Sequence, residues 1–414
     1  MVEFANMKRV VVTGMSAITP IGSDWNRVFA NLKAGQSGIV YMRDWDRYKD
    51  LRTRLAAPVH DFEIPSHFTR KRIRGMGRVA LMATLATESA LTDAGLLNDP
   101  EITHGNMGVS YGSCSGTPNA LADFGNMLLH NNMSGLNANT YIRMMPHTTP
   151  VNIGVFFGLT GRIITTSSAC TSGSQGIGYA YEAIKYGMQT MMVAGGAEEL
   201  DATQAAVFDT LFATSTRNDN PQSSPRPYDR DRDGLVIGEG AGTLILEELE
   251  HAKARGAKIY AEIVGYFCNS DGTHITQPNA ATMQIAMEQS LKGANLSCNS
   301  IGYINAHGTA TDRGDIAESI ATHAIFGNNT PISSVKSYIG HTLGACGSIE
   351  AWMTIEMMNN NWYAPTINLD NVAEDCADLD YIKVEGRQFD SEYVMSNNFA
   401  FGGINTSLIF KRYA

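Results

Sequence analysis

Glu288–Leu296, EQSLKGANL, runs into Ile301–Gly308, IGYINAHG: the end of a helix, then a buried strand closing on a glycine-rich loop. The same succession stands earlier in the chain, as ESALTDAGL (Glu88–Leu96) followed by MGVSYG (Met107–Gly112), with Glu, Leu, Ala and Leu at matching positions. Two more pairs keep the order. IITTSS, Ile163–Ser168, corresponds to PISSVK, Pro331–Lys336, each followed by a glycine-rich turn and a helix, and KRVVVTG, Lys8–Gly14, corresponds to KIYAEIVG, Lys258–Gly265. An internal repeat of this kind marks a duplicated structural unit. Strands that alternate with helices imply a parallel or mixed sheet in each copy. The chain is therefore expected to be an α/β protein of two halves, 1–254 and 255–414.

Composition narrows the function. A chain of 414 residues can bury a large core. A net charge of −10 argues against nucleic acid as the main partner. An acidic partner would need a local basic patch, for which TRKRIRGMGR (Thr69–Arg78) is the obvious candidate, although most such runs are solvated helix surface. The six cysteines (114, 170, 268, 298, 346 and 376) show neither CxxC pairs nor regular spacing, so reduced thiols are expected rather than a zinc site or a disulfide framework. The opening MVEFANMKRVVV lacks the apolar core of a signal peptide, and Val79–Leu96 contains Glu88 and Asp93 and reads as a buried helix. A cytoplasmic protein without a membrane span is expected.

The chemistry gathers around Thr165–Gly173, TTSSACTSG, which reads as a strand, a tight turn and the start of a helix. Cys170 would then lie at a helix N-terminus, where free N–H groups and the helix dipole favour thiolate. An isolated cysteine is more often a small core residue, but His307 in NAHGTATDRGD and His341 in VKSYIGHTLGACG both fall in loops after strands of the other half. NNFAFGGIN, Asn397–Asn405, adds a further glycine-rich loop. Other motif matches compete less well. GSCSG, Gly112–Gly116, fits a nucleophile elbow built on Cys114 and remains an alternative. Ser333–Lys336 fits S-x-x-K without the two motifs that should accompany it. DRDRDG, Asp229–Gly234, opens like a calcium loop but has Gly240 at the twelfth position and reads as a turn stitched by Asp–Arg pairs. GEGAG, Gly238–Gly242, is expected to serve close backbone packing.

Together Cys170 in TSSACTSG, His307 in NAHGTATD, Lys336 and His341 in KSYIGH, and Phe401 in NNFAFGGIN resemble the β-ketoacyl-acyl-carrier-protein synthases of types I and II, in the thiolase superfamily. The resemblance runs from Lys8 to Phe410. It implies a thiolase fold, a layered α-β-α-β-α sandwich, and a homodimer. It also implies decarboxylative condensation of an acyl-cysteine with malonyl-carrier protein, with no cofactor beyond the carrier's phosphopantetheine. On this resemblance Cys170 carries the acyl group, His307 and His341 hold the enolate, and Lys336 orients the histidine loop with Glu318 as its partner. Phe401 and Gly402 would form the oxyanion and gating loop, and Asp271 and His274 would support the site. Thr276, Thr309 and Thr311 would contact the pantetheine, Ser115 and Phe208 the acyl chain, and Lys71 and Arg74 the carrier, with Arg70, Arg72 and Arg78 as further basic candidates. Asn305, Glu350, Ser396 and Asn397 match a monovalent cation site of some members. YGSCSGT and MSNNFAFGGIN resemble the ketosynthases of aryl-polyene clusters. The competing readings are a coenzyme A-dependent thiolase or acyltransferase, a non-catalytic chain-length partner, and a hydrolase using Cys114.

Overall fold

The computed structural model describes residues 7–413; residues 1–6, part of the segment read for a leader, and Ala414 lie outside the described residues. One mixed sheet of eleven strands dominates it. In chain order these are β1 (Val10–Ile18), β2 (Met107–Gly112), β3 (Ile163–Thr166), β4 (Met191–Glu198), β5 (Gly240–Glu248) and β6 (Ala261–Ser270). They continue as β7 (Ile301–Asn305), β8 (Pro331–Ser333), β9 (Asp380–Tyr381), β10 (Tyr393–Ala400) and β11 (Ile404–Arg412). Their order across the sheet is β9-β8-β7-β10-β11-β6-β1-β5-β4-β2-β3.

Apart from β9 at one edge, the sheet repeats itself when read inward from its two ends. The succession β3-β2-β4-β5-β1 matches β8-β7-β10-β11-β6, with the first three strands of each set parallel and the last two antiparallel to their neighbours. The sets meet where Val10, Val11 and Val12 pair antiparallel with Ile263, Glu262 and Ala261. Those three valines are fully buried, as an apolar run at the centre of a sheet covered on both faces requires.

The helices complete the layers. Those that build the layers and the site are α1 (Arg78–Asp93), α2 (Pro118–His130), α3 (Ala138–Met144), α4 (Thr148–Phe157), α5 (Ser172–Lys185), α6 (Ala202–Asp209), α7 (Ala280–Ala294), α8 (Asp312–Phe326) and α9 (Cys346–Asn359). In the first half α1 and α4 cover the outer face, and in the second α7 and α8 do so. Between the halves, α5 and α9 pack on each other and on strands of both. The result is the α-β-α-β-α arrangement of a thiolase fold. Helix α9 is buried almost all round, which suits a central helix; Glu350 is its one fully buried charge. Glycines let the N-termini of these two helices meet: a Cβ on Gly173 would lie 2.9 Å from Gly344 O, and one on Gly347 would lie 2.5 Å from Ser174 N. GEGAG serves a similar approach, since a Cβ on Gly242 would come within 2.6 Å of Ile349 N. Its strand starts at Gly240, and the two-residue strand Ile237–Gly238 precedes it. Among the described residues no helix is long and apolar enough to cross a membrane.

Candidate active site

Four loops at the carboxyl ends of strands converge beside the N-termini of α5 and α9. The short link from β3 to α5 brings Cys170, the loop after β7 brings His307, the link from β8 to α9 brings Lys336 and His341, and the β10–β11 hairpin brings Phe401. Cys170 Sγ lies 2.9 Å from His341 Nε2, and the ligating atoms of Cys170, His307 and His341 fall within 4.8 Å of one another. All three residues are buried. The two imidazoles stand edge to face, with centroids 5.2 Å apart.

Hydrogen bonds at Nδ1 settle what the rings present to the site. His341 Nδ1 accepts from the Leu343 N–H at 3.2 Å, and His307 Nδ1 lies 3.3 Å from the Lys336 ammonium. An Nδ1 that accepts leaves the proton of a neutral ring on Nε2, so His341 points an N–H at Cys170 Sγ and His307, beside them, also carries its proton on Nε2. Burial, then the charge of Lys336, pushes both histidine pKa values well below the usual range and keeps the rings neutral; for His307 the neighbouring His341 adds to this. Burial disfavours the Lys336 charge, but Glu350, hydrogen-bonded to its ammonium, outweighs burial and raises the lysine above its ordinary value.

Three expectations need correction. Glu318 is not the ion-pair partner of Lys336; Glu350 is. Glu318 instead accepts the backbone N–H groups of His307 and Gly308, both at 2.7 Å, and the Tyr228 hydroxyl at 2.8 Å, so it shapes the loop that carries His307. Cys170 does not gain a thiolate from a helix terminus: α5 begins at Ser172 with Thr171 as its cap, and burial pushes the thiol up to about 11. The N–H groups of Phe401 and Cys170 and the charge of Lys336 oppose that rise without cancelling it. Of the four residues matched to a cation site, Asn305, Glu350 and Ser396 cluster, with Asn305 Nδ2 3.3 Å from Ser396 Oγ, but Asn397 does not join them. Asn305 and Asn398 turn their amide nitrogens to Glu350, at 3.4 and 2.7 Å, while Asn397 turns to Met287 on the other face of β10. The amide oxygens of Asn305, Asn397 and Asn398 are buried without a partner, but as placed these side chains do not fit a cation cage.

A cavity of about 580 Å³ opens on Cys170 and is also lined by His307, His341, Thr276, Thr309, Thr311, Phe208, Phe401 and Asp271. Phe208, on α6, meets the Phe401 ring edge to face at 6.0 Å. Gly402 and Gly403 have φ of +91° and +74°, which lets the hairpin turn directly after Phe401. The Asp271 N–H donates to Gly403 O at 2.7 Å and its carboxylate accepts from Asn405 at 2.8 Å, so Asp271 braces that hairpin. His274 is exposed, hydrogen-bonds only to Thr276 among the described residues, and stands outside the cavity wall. Ser115 is also absent from the wall; Gln204 approaches its hydroxyl at 3.5 Å and its N–H donates to Glu198.

Cys114 lacks the setting of a nucleophile. Burial, and then the Glu198 carboxylate that accepts its backbone N–H at 2.7 Å, drive its thiol well above the ordinary value, and no histidine bonds to it. In the basic segment Lys71 and Arg74 are exposed, whereas Arg78 is held by Glu239 at 2.7 Å and Arg72 stacks on Phe156 at 3.6 Å. The calcium-like loop is a turn in which Asp229 binds Arg226 at 3.1 Å. Tyr228, directly before that loop, Asn398, the Glu350 pairing and Phe399, beside His307, were not legible in the sequence.

The site's geometry agrees with the family comparison. The profile described as Beta-ketoacyl synthase, N-terminal domain matches residues 7–252, and that of its C-terminal domain matches residues 260–370. The chain belongs to the β-ketoacyl synthase family. It is 39% identical over 417 residues to a 3-oxoacyl-[acyl-carrier-protein] synthase 2 of Vibrio harveyi, covering 98% of this chain and 99% of the relative. A crystal structure of a β-ketoacyl synthase from Burkholderia phymatum STM815 superposes with a TM-score of 0.98 at 60% identity, over 99% of this chain and 100% of that one. A ketosynthase solved with its type II polyketide acyl-carrier protein and bound to a hexaketide superposes with a TM-score of 0.86 at 30% identity, over 99% and 100% of the two chains.

Proposed function

We propose that the protein is a 3-oxoacyl-acyl-carrier-protein synthase in which Cys170 carries the acyl group while His307 and His341 activate the malonyl unit. The observation that carries this reading is the pair of neutral histidines beside one buried thiol, each with Nδ1 engaged, and with His341 Nε2 2.9 Å from Cys170 Sγ.

Cys170 Sγ attacks the thioester carbonyl of an acyl-carrier protein. The carrier's C–S bond breaks, the acyl–Sγ bond forms, and the thiol proton leaves with the phosphopantetheine thiol. The N–H groups of Cys170 and Phe401, which both face Sγ, hold the oxyanion of that addition. Malonyl-carrier protein then enters. Its C–C bond breaks to release CO₂, and the electron pair moves onto the thioester, whose oxygen becomes an enolate bonded by the Nε2–H groups of His307 and His341. The enolate carbon attacks the acyl-cysteine, the C–Sγ bond breaks, and Cys170 takes up one proton. Fixed donors in a dry site suit this step because they stabilise charge that develops only during decarboxylation. Two sets of products, 3-oxoacyl-carrier protein and CO₂, should appear in equal amounts and be absent from Cys170→Ala. CO₂ release from malonyl-carrier protein without Cys170 labelling by any acyl donor would contradict the synthase reading.

The cavity wall includes Phe208, Phe212, Phe399 and Phe401, which suits an aryl or conjugated acyl chain and supports a specialised polyene pathway as a second reading. Single-turnover acylation with conjugated and saturated chains of equal length tests it, and a preference for the saturated chain would remove it. A second copy of the chain is the proposed cover for the open edge strand β3. Ile163 on that strand is 45% exposed, and Val155 on α4, which packs beside it, is 77% exposed. A monomeric mass by light scattering would contradict it.

A further inference from the structure

The wall of the cavity that opens on Cys170 carries charge near solvent. Arg232, Asp233, Asp312 and Arg313 all line it, close to the threonines. Three of these four are already committed. Asp233 lies 3.5 Å from Arg217 and accepts the Thr216 N–H at 3.0 Å. Asp312 lies 3.2 Å from Arg232. Arg232, its side chain only 4% exposed, is also 3.8 Å from Asp315 and 3.5 Å from Asp375. Arg313 differs. It is exposed, stands two residues beyond Thr311, and has neither an ion pair nor a side-chain hydrogen bond among the described residues.

We propose that Arg313 binds the phosphate of the carrier's phosphopantetheine arm and sets how far the arm enters the cavity. This rests on the synthase reading. The arm is a chain of two amides and a thiol, uncharged except for the phosphodiester that joins it to the carrier. With its thioester at Cys170 and its amides beside Thr309 and Thr311, whose hydroxyls are 2.9 Å apart, the single anion must stand near the cavity mouth. A guanidinium presents paired N–H donors that match phosphate oxygens. The nearby carboxylates do not cancel that attraction, because Asp312 and Asp233 each have a basic partner of their own. Lys71 and Arg74 lie on a separate short helical segment and contribute to a different contact, that with the carrier's folded surface.

The test removes that folded surface. Acylation of Cys170 is measured with one short acyl group carried on phosphopantetheine and on pantetheine, which differ only in the phosphate. At low salt the phosphorylated donor should have roughly a five-fold higher kcat/KM, the scale of a partly exposed charge-assisted contact. The advantage should shrink as salt rises. Arg313→Ala should bring the ratio of the two donors to about one, and Arg313→Lys should keep part of it. A ratio near one in the native protein, or a full ratio in Arg313→Ala, would overturn the assignment. Failure of both donors and of acyl-carrier protein to label Cys170 would overturn the synthase reading, and the Arg313 proposal with it.

Discussion

The two halves of the molecule share a strand order but divide the chemistry, and the division follows from their loops. After β3 the first half passes to α5 through Cys170 alone among reactive side chains; after β8 the second half takes a longer path to α9 that holds both Lys336 and His341. After β2 comes Cys114, and at the matching place after β7 comes His307. Each of these last two loops is stitched by a buried carboxylate. Glu198 accepts the N–H groups of Cys114 and Ser115, and Glu318 accepts those of His307 and Gly308. The same backbone device therefore supports a cysteine whose thiol faces a carboxylate in one half and a histidine that stands beside Cys170 in the other. A duplicated scaffold fixes where loops meet; the side chains placed there decide the reaction.

The largest effect should separate the two cysteines nearest the site. Cys170→Ala should abolish acyl labelling and condensation, while Cys114→Ala should keep labelling within a few-fold of the native rate, read by mass spectrometry of the acylated peptide. Label on Cys114 in either protein would break the contrast between the halves.

Glu198 and Glu318 sharpen the comparison next. Each alanine variant strands buried N–H donors, at about 1–3 kcal/mol for each donor left unpaired, so both should lower stability in urea titrations. Only Glu318→Ala frees the His307 loop alone and should slow condensation more than acylation. Glu198 also accepts the Gly344 N–H at 3.1 Å and ties the two halves together, so its loss should slow both steps alike.

The pH profiles of the two halves should differ in the same way. Cys170, raised to about 11 by burial, is a thiol at neutral pH. Its alkylation should climb roughly tenfold per pH unit up to the limit of stability, in proportion to the thiolate present. A plateau in the range of an ordinary free cysteine, about 8.5, would contradict the burial argument. The histidines work as neutral donors and have lowered pKa values, so they stay functional until pH falls through those values. Malonyl decarboxylation should then show no inflection at the ordinary histidine value of about 6.5.

Much of this was legible from residue order. The repeat located β1, β2, β7 and their partners, because buried strands and helix ends leave patterns that survive duplication. The motifs around Cys170, His307 and His341 singled out three side chains that the fold brings together, because glycine and small hydroxyl residues crowd where loops must pack closely. The pairing of Lys336 was not legible. Glu318 and Glu350 both follow it or precede it on helices, and which one meets the ammonium depends on how α9 is rotated in the middle layer. The protonation of Cys170 was hidden for a related reason: burial is a property of the packed halves, whereas the helix dipole is local. Ser115 and His274 matched family positions, yet their side chains lie off the cavity wall.

The smallest effect concerns the basic segment. Charge reversal at Lys71 and Arg74 should raise KM for carrier-borne donors a few-fold and weaken the salt dependence, with kcat nearly unchanged, since exposed charges act on encounter rather than on chemistry. Equal KM values for native and reversed proteins would place the carrier elsewhere.

The central claim is that the first half holds the acyl group while the second half drives decarboxylation. Trapping the intermediate in His307→Ala and His341→Ala tests it most directly. Each variant, mixed with acyl- and malonyl-carrier protein, should accumulate acyl-Cys170 and form product about 10²–10³ times more slowly, the scale of losing one oxyanion donor. Near-native product formation by either variant, or no acyl-enzyme in either, would contradict it.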